Sequence, residues 1–258
     1  MIWLLLFFGI LSGRSLYKNY RGRCVKKERT FFGPYPIPKI QLGDVIPLDS
    51  LGVSKKSILK MTLPGINGAK PGKVEAGTTL EESFVLAEFA TAAKTLFEFG
   101  TCTGRTTYLW ALNSPKDAKI TTLTLAPDQR DTYAHADQDT SEDQAVALKE
   151  SVFSEFFYTG QLEEKKITQL YGDSKAFDEK PFKEQFDLIF IDGSHAYSYV
   201  LSDSQKALYM LKPGGTILWH DYRAPWQAKG VYQALNELSL RLPLRHISST
   251  SLVIYKKP

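Results

Sequence analysis

The chain has 258 residues, 43% hydrophobic and 23% charged, so it is long enough to bury one sizeable core and does not have a disordered composition. Its net charge of +4 comes from the N-terminus, where the first 30 residues hold seven basic side chains and one acidic one. The other 228 residues carry 25 basic and 27 acidic side chains, which argues against nucleic-acid binding. Cys24 and Cys102 form no zinc spacing and no disulfide framework, so a reducing cytoplasmic location is predicted.

An uncharged apolar run, Ile2–Leu11, opens the chain and is followed by the basic cluster. Ten residues are too few to span a bilayer, which takes roughly 20. The order of the two parts also differs from that of a secretory signal, in which the positive charge comes first. Two interpretations stay open: residues 1–30 anchor the protein on an anionic membrane surface, or they form a helix that packs on the domain.

Residues 31–75 are rich in proline and glycine, and we interpret them as an irregular lead-in to a domain at residues 76–258. Regular patterning begins with a helix over Thr79–Lys94, for which Thr79 and Glu82 form a predicted capping box. Further helices are predicted at Gly104–Asn113, Ser141–Tyr158, Tyr197–Leu211 and Gly230–Leu240. Strands are predicted at Thr95–Phe99, Lys119–Leu125, Ile167–Tyr171, Phe186–Asp192 and Thr216–His220, with a final pair at Leu244–Ile247 and Ser251–Lys256.

Nearly all-apolar strands that alternate with helices are typical of a parallel sheet covered on both faces. The predicted fold class is therefore α/β: a Rossmann-like, doubly wound and mostly parallel sheet with an antiparallel C-terminal strand and helices on both faces. Ligands bind such sheets beyond the carboxyl ends of the strands. The glycines and polar residues of this sequence collect at those ends, namely Glu98, Gly100, Asp173, Asp192, His220 and Asp221. We expect a ligand site there.

The first strand runs into a loop of small residues, Thr-Leu-Phe-Glu-Phe-Gly-Thr-Cys-Thr-Gly, at Thr95–Gly104. Gly100 and Gly104 are expected to let the backbone approach a ligand, and the helix that follows would point its free N–H groups at that ligand. The spacing differs from the Gly-x-Gly-x-x-Gly fingerprint, which disfavours a nicotinamide dehydrogenase.

A second stretch reads Phe-Asp-Leu-Ile-Phe-Ile-Asp-Gly-Ser-His-Ala-Tyr at Phe186–Tyr197 and continues as Leu-Lys-Pro-Gly-Gly-Thr-Ile-Leu-Trp-His-Asp-Tyr at Leu211–Tyr222. Together with the Glu98–Gly104 loop and Tyr171–Ser174, this pattern resembles class I S-adenosylmethionine-dependent methyltransferases, in particular small-molecule O-methyltransferases. The resemblance covers about residues 75–256, in the order and spacing of that family. It implies an enzyme that transfers a methyl group to a hydroxyl of a small molecule such as a sugar or phenol.

The resemblance also implies roles for individual residues. S-adenosylmethionine would have its methionine part and ribose surrounded by Glu98, Gly100, Thr101 and Gly104, and its adenine approached by Asp173 and Ser174. The transferred methyl group would lie near Asp192. A divalent cation, Mg²⁺ or another, would be held by Asp192 and Asp221. Catalysis would involve Asp192 and His195, the latter as general base or as a substrate contact.

Structural alternatives stand beside these roles. Asp192 would instead cap the next helix, and His195 would only hydrogen-bond a loop. His220 is expected to be a structural partner or a metal ligand, and Asp203 a solvated or capping residue.

One position departs from the family pattern. Where the second strand usually ends in an acid that binds both ribose hydroxyls, this chain has Thr124. A threonine lacks the charge-assisted acceptance of a carboxylate, so we expect a loss of about tenfold in cofactor affinity, with Asp128 compensating from the loop. The departure keeps a second hypothesis open: a non-catalytic protein of methyltransferase fold that binds a ligand or partner at a membrane surface.

Overall fold

The computed structural model describes residues 37–46, 60, 77–224 and 226–258. The predictions for residues 1–30 lie outside the described residues. Within the described part of the chain, no helix is both long and apolar enough to cross a membrane.

One sheet of eight strands, with six helices, makes up the described structure. Its strands are β1 (Lys39–Ile40), β2 (Thr95–Phe99), β3 (Lys119–Thr124), β4 (Ile167–Tyr171), β5 (Phe186–Ile191), β6 (Leu211–Trp219), β7 (Arg245–Ile247) and β8 (Val253–Lys256). Its helices are α1 (Leu42–Val45), α2 (Leu80–Ala90), α3 (Arg105–Asn113), α4 (Ser141–Glu150), α5 (Tyr197–Met210) and α6 (Lys229–Leu238).

The strands lie in the order β1-β7-β8-β6-β5-β2-β3-β4. All neighbouring strands are parallel except β8, which runs antiparallel to β6 and β7. This confirms the predicted mostly parallel sheet with an antiparallel C-terminal strand. The predicted capping box is also present: the Glu82 N–H donates to Thr79 Oγ1 at 3.2 Å, and the Thr79 N–H donates to Glu82 Oε2 at 2.8 Å.

Two hydrophobic cores cover the two faces of the sheet, because successive strand residues point to opposite sides. On one face, Phe97 and Phe99 of β2 pack with residues of α5 and α6. On the other, Leu96 packs with Trp110 of α3 and with residues of α2. Helices therefore lie on both faces, as the sequence predicted.

Two segments differ from their predictions. The helix predicted over Ser141–Tyr158 ends at Glu150, because the chain turns back and stacks Phe156 on Tyr158 beside Gly104. The Pro/Gly-rich segment also contributes regular structure, since β1 pairs with β7 and α1 follows it. Ile37 and Ile46, which flank these two elements, are buried.

The chain order reverses at β2, which lies between β3 and β5. Neighbouring strand ends are held by hydrogen bonds from Gly100 N–H to the Leu123 carbonyl at 2.8 Å and from Asp192 N–H to the Phe99 carbonyl at 2.9 Å. Gly100 has φ +97°, and a β-carbon on it would lie 2.1 Å from the Asp192 carbonyl oxygen. The glycine is therefore required by the contact between two strand ends.

A partly buried carboxylate joins the opposite ends of β2, β5 and β6. Asp187 Oδ2 accepts hydrogen bonds from the N–H groups of Lys94 and Thr95 and from the Thr95 hydroxyl, each at 2.9 Å. Its Oδ1 accepts from Lys212 Nζ at 2.8 Å. Burial opposes ionisation here, but these hydrogen bonds outweigh it and lower the pKa of Asp187.

We predict that Gly100→Ala destabilises the protein by about 3 kcal/mol or more, because the new β-carbon combines a steric clash with a positive φ. Urea unfolding measures this loss. Gly193→Ala is the matched control, since a β-carbon there has its nearest neighbour at 3.7 Å, an ordinary contact. Equal stability of the two variants would contradict the steric argument.

We predict that Asp187→Asn lowers the free energy of unfolding at pH 7 by about 1.5–3 kcal/mol, the usual contribution of hydrogen bonds to a charged group. Since the folded-state pKa of Asp187 lies below its unfolded value, this stability is present above about pH 4 and is lost as the pH falls through the folded pKa. The difference between the variant and the wild type should therefore narrow in acid.

Asp117→Asn serves as the control for that series. Asp117 pairs with Lys94 at 3.5 Å, but both side chains are 69% exposed. Its loss should change stability by less than about 1 kcal/mol. A destabilisation by Asp187→Asn no larger than this would contradict the role given to Asp187.

Candidate active site

Two adjoining cavities lie at the carboxyl ends of the central strands. The inner cavity, about 540 Å³ including space open to solvent, lies beyond β3 and β4. The outer cavity, about 1180 Å³ on the same measure, lies beside the start of α3 and the ends of β5 and β6. The residues that line both are Gly100, Cys102, Glu150 and Asp192. The two cavities therefore meet at the reversal point of the sheet, where ligands bind in open α/β folds.

The inner cavity is lined by five of the residues predicted to bind a cofactor: Gly100, Thr124, Asp173, Ser174 and Asp192. Asp173 Oδ2 accepts a hydrogen bond from the Tyr199 hydroxyl at 2.9 Å, and its Oδ1 accepts from the Lys175 N–H at 2.9 Å. Asp128 does not line this cavity in the described structure and lies in an exposed 3₁₀ turn, so its predicted compensation for Thr124 has no structural support.

A tyrosine pair forms one wall of the inner cavity. Tyr133 and Tyr199 stack with ring centroids 4.5 Å apart, and the Tyr133 hydroxyl lies 2.8 Å from Ser194 Oγ. The Tyr199 hydroxyl also accepts a hydrogen bond from the Ala134 N–H at 2.8 Å. These contacts fix a flat aromatic surface beside the strand ends.

Asp203 is buried, contrary to the expectation of a solvated or capping residue. It is 1% exposed and lines the inner cavity from α5. Among the described residues its Oδ1 atom has no hydrogen-bond partner. Burial raises the pKa of Asp203 to about 7. A buried carboxyl oxygen without a partner carries an energetic cost that a bound polar group would remove.

Glu98 is 1% exposed on β2 and lines the outer cavity. Its Oε2 accepts hydrogen bonds from the hydroxyls of Thr107 and Thr122. Burial raises the pKa of Glu98 to about 8 against the effect of those hydrogen bonds. The group is therefore a neutral carboxylic acid near pH 7, not the free carboxylate that its place in the sequence indicates.

The loop glycines contact protein. A β-carbon on Gly104 would lie 2.7 Å from the Tyr158 ring and 2.8 Å from Phe156 Cβ. Thr101 Oγ1 lies 2.7 Å from Thr122 Oγ1. The returning segment with its aromatic pair therefore fills space that the sequence assigned to a ligand, although Gly100 and Thr101 still line the outer cavity.

His220 is the centre of a buried cluster of acids. Its Nδ1 lies 2.9 Å from Asp192 Oδ1 and 3.1 Å from Asp221 Oδ2, and its Nε2 lies 3.1 Å from Glu82 Oε2. Burial disfavours the charged ring, but the carboxylates raise the pKa of His220 well above its usual value. The contacts therefore favour the protonated, positively charged form of the His220 ring.

The same contacts shift the pKa values of the two aspartates in opposite directions. Burial raises the pKa of Asp192, whereas hydrogen bonds from His195 and His220 hold the pKa of Asp221 far below its usual range despite burial. Asp221, which has φ +58°, also accepts from Arg223 Nε at 3.0 Å. Asp221 therefore stays ionised.

His195 and Asp221 form a dyad that opens on the outer cavity. His195 Nε2 lies 2.8 Å from Asp221 Oδ2. Burial opposes protonation of the ring, but Asp221 raises the pKa of His195 overall. In the part of the chain that the structure describes, His195 Nδ1 makes no hydrogen bond. The dyad thus presents an oriented imidazole with one nitrogen available.

Sequence reasoning missed two acids of the site. Glu82 was identified only as a capping residue, yet its Oε2 also contacts His220 and its Oε1 accepts from the N–H and the hydroxyl of Ser251, both at 2.7 Å. Glu150 lines both cavities at the C-terminal end of α4, and burial raises its pKa to about 7. No sequence signal marked Glu150, because the predicted helix ran past it.

The structure adds a third candidate ligand, His220, to the two aspartates predicted to bind a metal ion. Ligand atoms of Asp192, His220 and Asp221 all lie within 4.8 Å of one another. Cys102 lies nearby, but burial raises the pKa of its thiol to about 12, so it offers no thiolate at neutral pH.

Comparison with known proteins relates part of the chain to a family. Residues 97–222 match the model of the methyltransferase domain family. No curated protein sequence matches the chain. Among solved structures, the methyltransferase PaMTH1 of Podospora anserina, determined bound to SAH, is 17% identical with a TM-score of 0.51, over 70% of this chain and 79% of that one.

A Staphylococcus aureus structure assigned as a caffeoyl-CoA O-methyltransferase is 16% identical with a TM-score of 0.50, over 71% of this chain and 86% of that one. At these identities the structural likeness establishes the fold. Residues 97–222 are therefore similar to a methyltransferase domain, and the chain has the Rossmann-like fold of these methyltransferase structures.

Proposed function

We propose that the protein transfers a methyl group from S-adenosylmethionine to a hydroxyl of a small molecule. The observation that carries this proposal is the His195–Asp221 dyad, which lines the outer cavity and leaves His195 Nδ1 without a hydrogen bond among the described residues. The adjoining inner cavity supplies room for a nucleoside.

The residues present fit S-adenosylmethionine. The inner cavity would hold its adenosine part through Asp173, Ser174 and the partnerless oxygen of Asp203, beside the Tyr133–Tyr199 wall. The methionine part would lie where the cavities meet, near Gly100 and Asp192. Bound there, the cofactor would supply an electrophilic methyl group on a positively charged sulfur.

The protein's contribution is positioning and removal of a proton. His195 Nδ1 would accept the proton of the acceptor hydroxyl, and Asp221 would hold the ring in place and stabilise the imidazolium. Asp192, between the cavities, would place a carboxylate near the reacting centre. Its hydrogen bond to His220 fixes its orientation.

A divalent cation would be held by Asp192, His220 and Asp221. The fit is supported by Glu82, which accepts from His220 Nε2 and leaves Nδ1 as the ligand atom, as in carboxylate–histidine–metal arrangements. A mixed oxygen and imidazole donor set favours Mn²⁺, Fe²⁺ or Co²⁺ over the Mg²⁺ expected from the sequence. When bound, the cation would lower the pKa of a coordinated hydroxyl.

We predict micromolar binding of S-adenosylhomocysteine to the full chain by calorimetry. Asp203→Asn should weaken it about tenfold, because the amide no longer offers two acceptor oxygens in the inner cavity. Asp131→Asn, an exposed position outside both cavities, is the control and should leave the affinity unchanged. Calorimetric titrations with Mn²⁺ and with Mg²⁺ compare the affinities of the protein for the two cations.

No binding at millimolar concentration by the wild type would refute cofactor use. That result would favour the alternative, a non-catalytic binding protein of the same fold, for which Thr124 in place of an acid is the supporting observation. Equal affinities of the Asp203 and Asp131 variants would instead refute only the role of Asp203.

We predict that His195→Gln lowers turnover about 100- to 10,000-fold, the usual contribution of a general base, with the affinity for S-adenosylhomocysteine unchanged. Turnover is measured as S-adenosylhomocysteine formed from a panel of phenol and sugar acceptors. His135→Gln, at an exposed position outside the cavities, should behave as wild type. Full activity of the His195 variant would show that His195 only supports a loop.

A further inference from the structure

The outer cavity carries positive charge on three separate segments. Arg105 begins α3, Lys149 lies in the last turn of α4, and Arg223 follows β6. The proposed reaction uses none of these side chains. The proposed reaction therefore does not explain why three cationic side chains lie around one cavity.

Charge pairing divides the cations into two groups. Arg223 donates to Asp221, and both histidines of the cavity also contact carboxylates. Within the described residues, neither Arg105 nor Lys149 forms an ion pair or a side-chain hydrogen bond. Arg105 and Lys149 are thus the two cationic side chains of the cavity that have no carboxylate partner among the described residues.

Arg105 is the better placed of the two. It is partly buried, and burial lowers the pKa of its guanidinium without any counteracting charge among the described groups. Its Nη1 atom lies 2.8 Å from where a β-carbon of Gly77 would stand, so the group rests against the backbone at that point. A guanidinium that has lost water without gaining an acid favours an anionic ligand.

Neutral hydrogen-bond donors line the same cavity as this guanidinium. The hydroxyl residues Thr78, Thr103 and Thr106 line the same cavity. Helix α3 starts at Gly104, which has a left-handed conformation and provides no side-chain cap, so the first N–H groups of the helix remain available. Three of the four acids that line the cavity have partners other than Arg105: Glu98 is bonded to two threonines, Asp192 to His220, and Asp221 to the dyad and Arg223. The fourth, Glu150, forms no ion pair with Arg105.

We propose that the acceptor substrate carries a carboxylate or phosphate group, which Arg105 binds in the outer cavity while an acceptor hydroxyl faces His195. This inference rests on the proposed methyl transfer and names the substrate class of that site. The planar guanidinium can donate two parallel hydrogen bonds to either anion, and Lys149 adds a second positive charge.

The test is calorimetric binding to the full chain loaded with S-adenosylhomocysteine. The probes are glucuronate, glucose 6-phosphate and glucose, together with 3,4-dihydroxybenzoate and 3,4-dihydroxybenzamide. We expect an anionic probe of at least one series to bind about tenfold or more tightly than its neutral counterpart. The carboxylate and phosphate arms distinguish the two anions.

Arg105→Gln should abolish that preference and leave the affinity for S-adenosylhomocysteine unchanged. Arg241→Gln, an exposed position outside the cavities, should keep it. Equal affinities for charged and neutral probes in the wild type, or a preference that survives in Arg105→Gln, would overturn the proposal. Failure of the wild type to bind S-adenosylhomocysteine would refute the proposed function instead, so the two failures are distinct.

Discussion

The site depends on one buried imidazole ring. His220, at the end of β6, holds Asp192 from β5, Asp221 from its own strand end, and Glu82 from the first turn of α2. Three carboxylates this close would repel one another in a buried setting without a cation between them. The charged ring therefore supplies the electrostatic balance, and through Asp221 it also helps to orient the His195 dyad. A metal ion at His220 Nδ1 would replace a proton and keep the same arrangement.

The fold could be predicted because its signals are local. The capping box at Thr79, the alternating strands and helices, and the antiparallel end of the sheet appear directly in the sequence. The sequence also singled out Gly100. The structure requires a glycine there because the Asp192 backbone of a neighbouring strand lies too close for a side chain, and no local sequence pattern encodes that contact. Likewise, the apolar pattern predicted a helix from Ser141 to Tyr158, whereas the helix in the structure ends earlier because the chain turns back and packs Phe156 against Gly104.

The candidate site was predictable at its strand ends and not elsewhere. Asp173 and Asp192 follow directly from strand register, whereas Glu82, Glu150 and Asp203 reach the site from helices on different sides of the sheet. Their contribution depends on tertiary packing and on the burial it imposes. Protonation also depends on burial. Glu98 lies where the family pattern has a carboxylate, but burial raises its pKa to about 8, which favours the neutral acid near pH 7.

The departure at Thr124 has a physical reason in the charges of the inner cavity. Four carboxyl groups line it, and no Lys, Arg or His does so among the described residues; the acids are Glu150, Asp173, Asp192 and Asp203. Burial already raises the pKa of Glu150 and of Asp203 to about 7. A fifth acid at position 124 would add to this repulsion, so a threonine there lowers the cost of keeping the others in place. The acids of the inner cavity and the cations Arg105 and Lys149 on the wall of the outer one match the positively charged methyl donor and the anionic acceptor of the two proposals, whose opposite charges would attract each other as the methyl group moves.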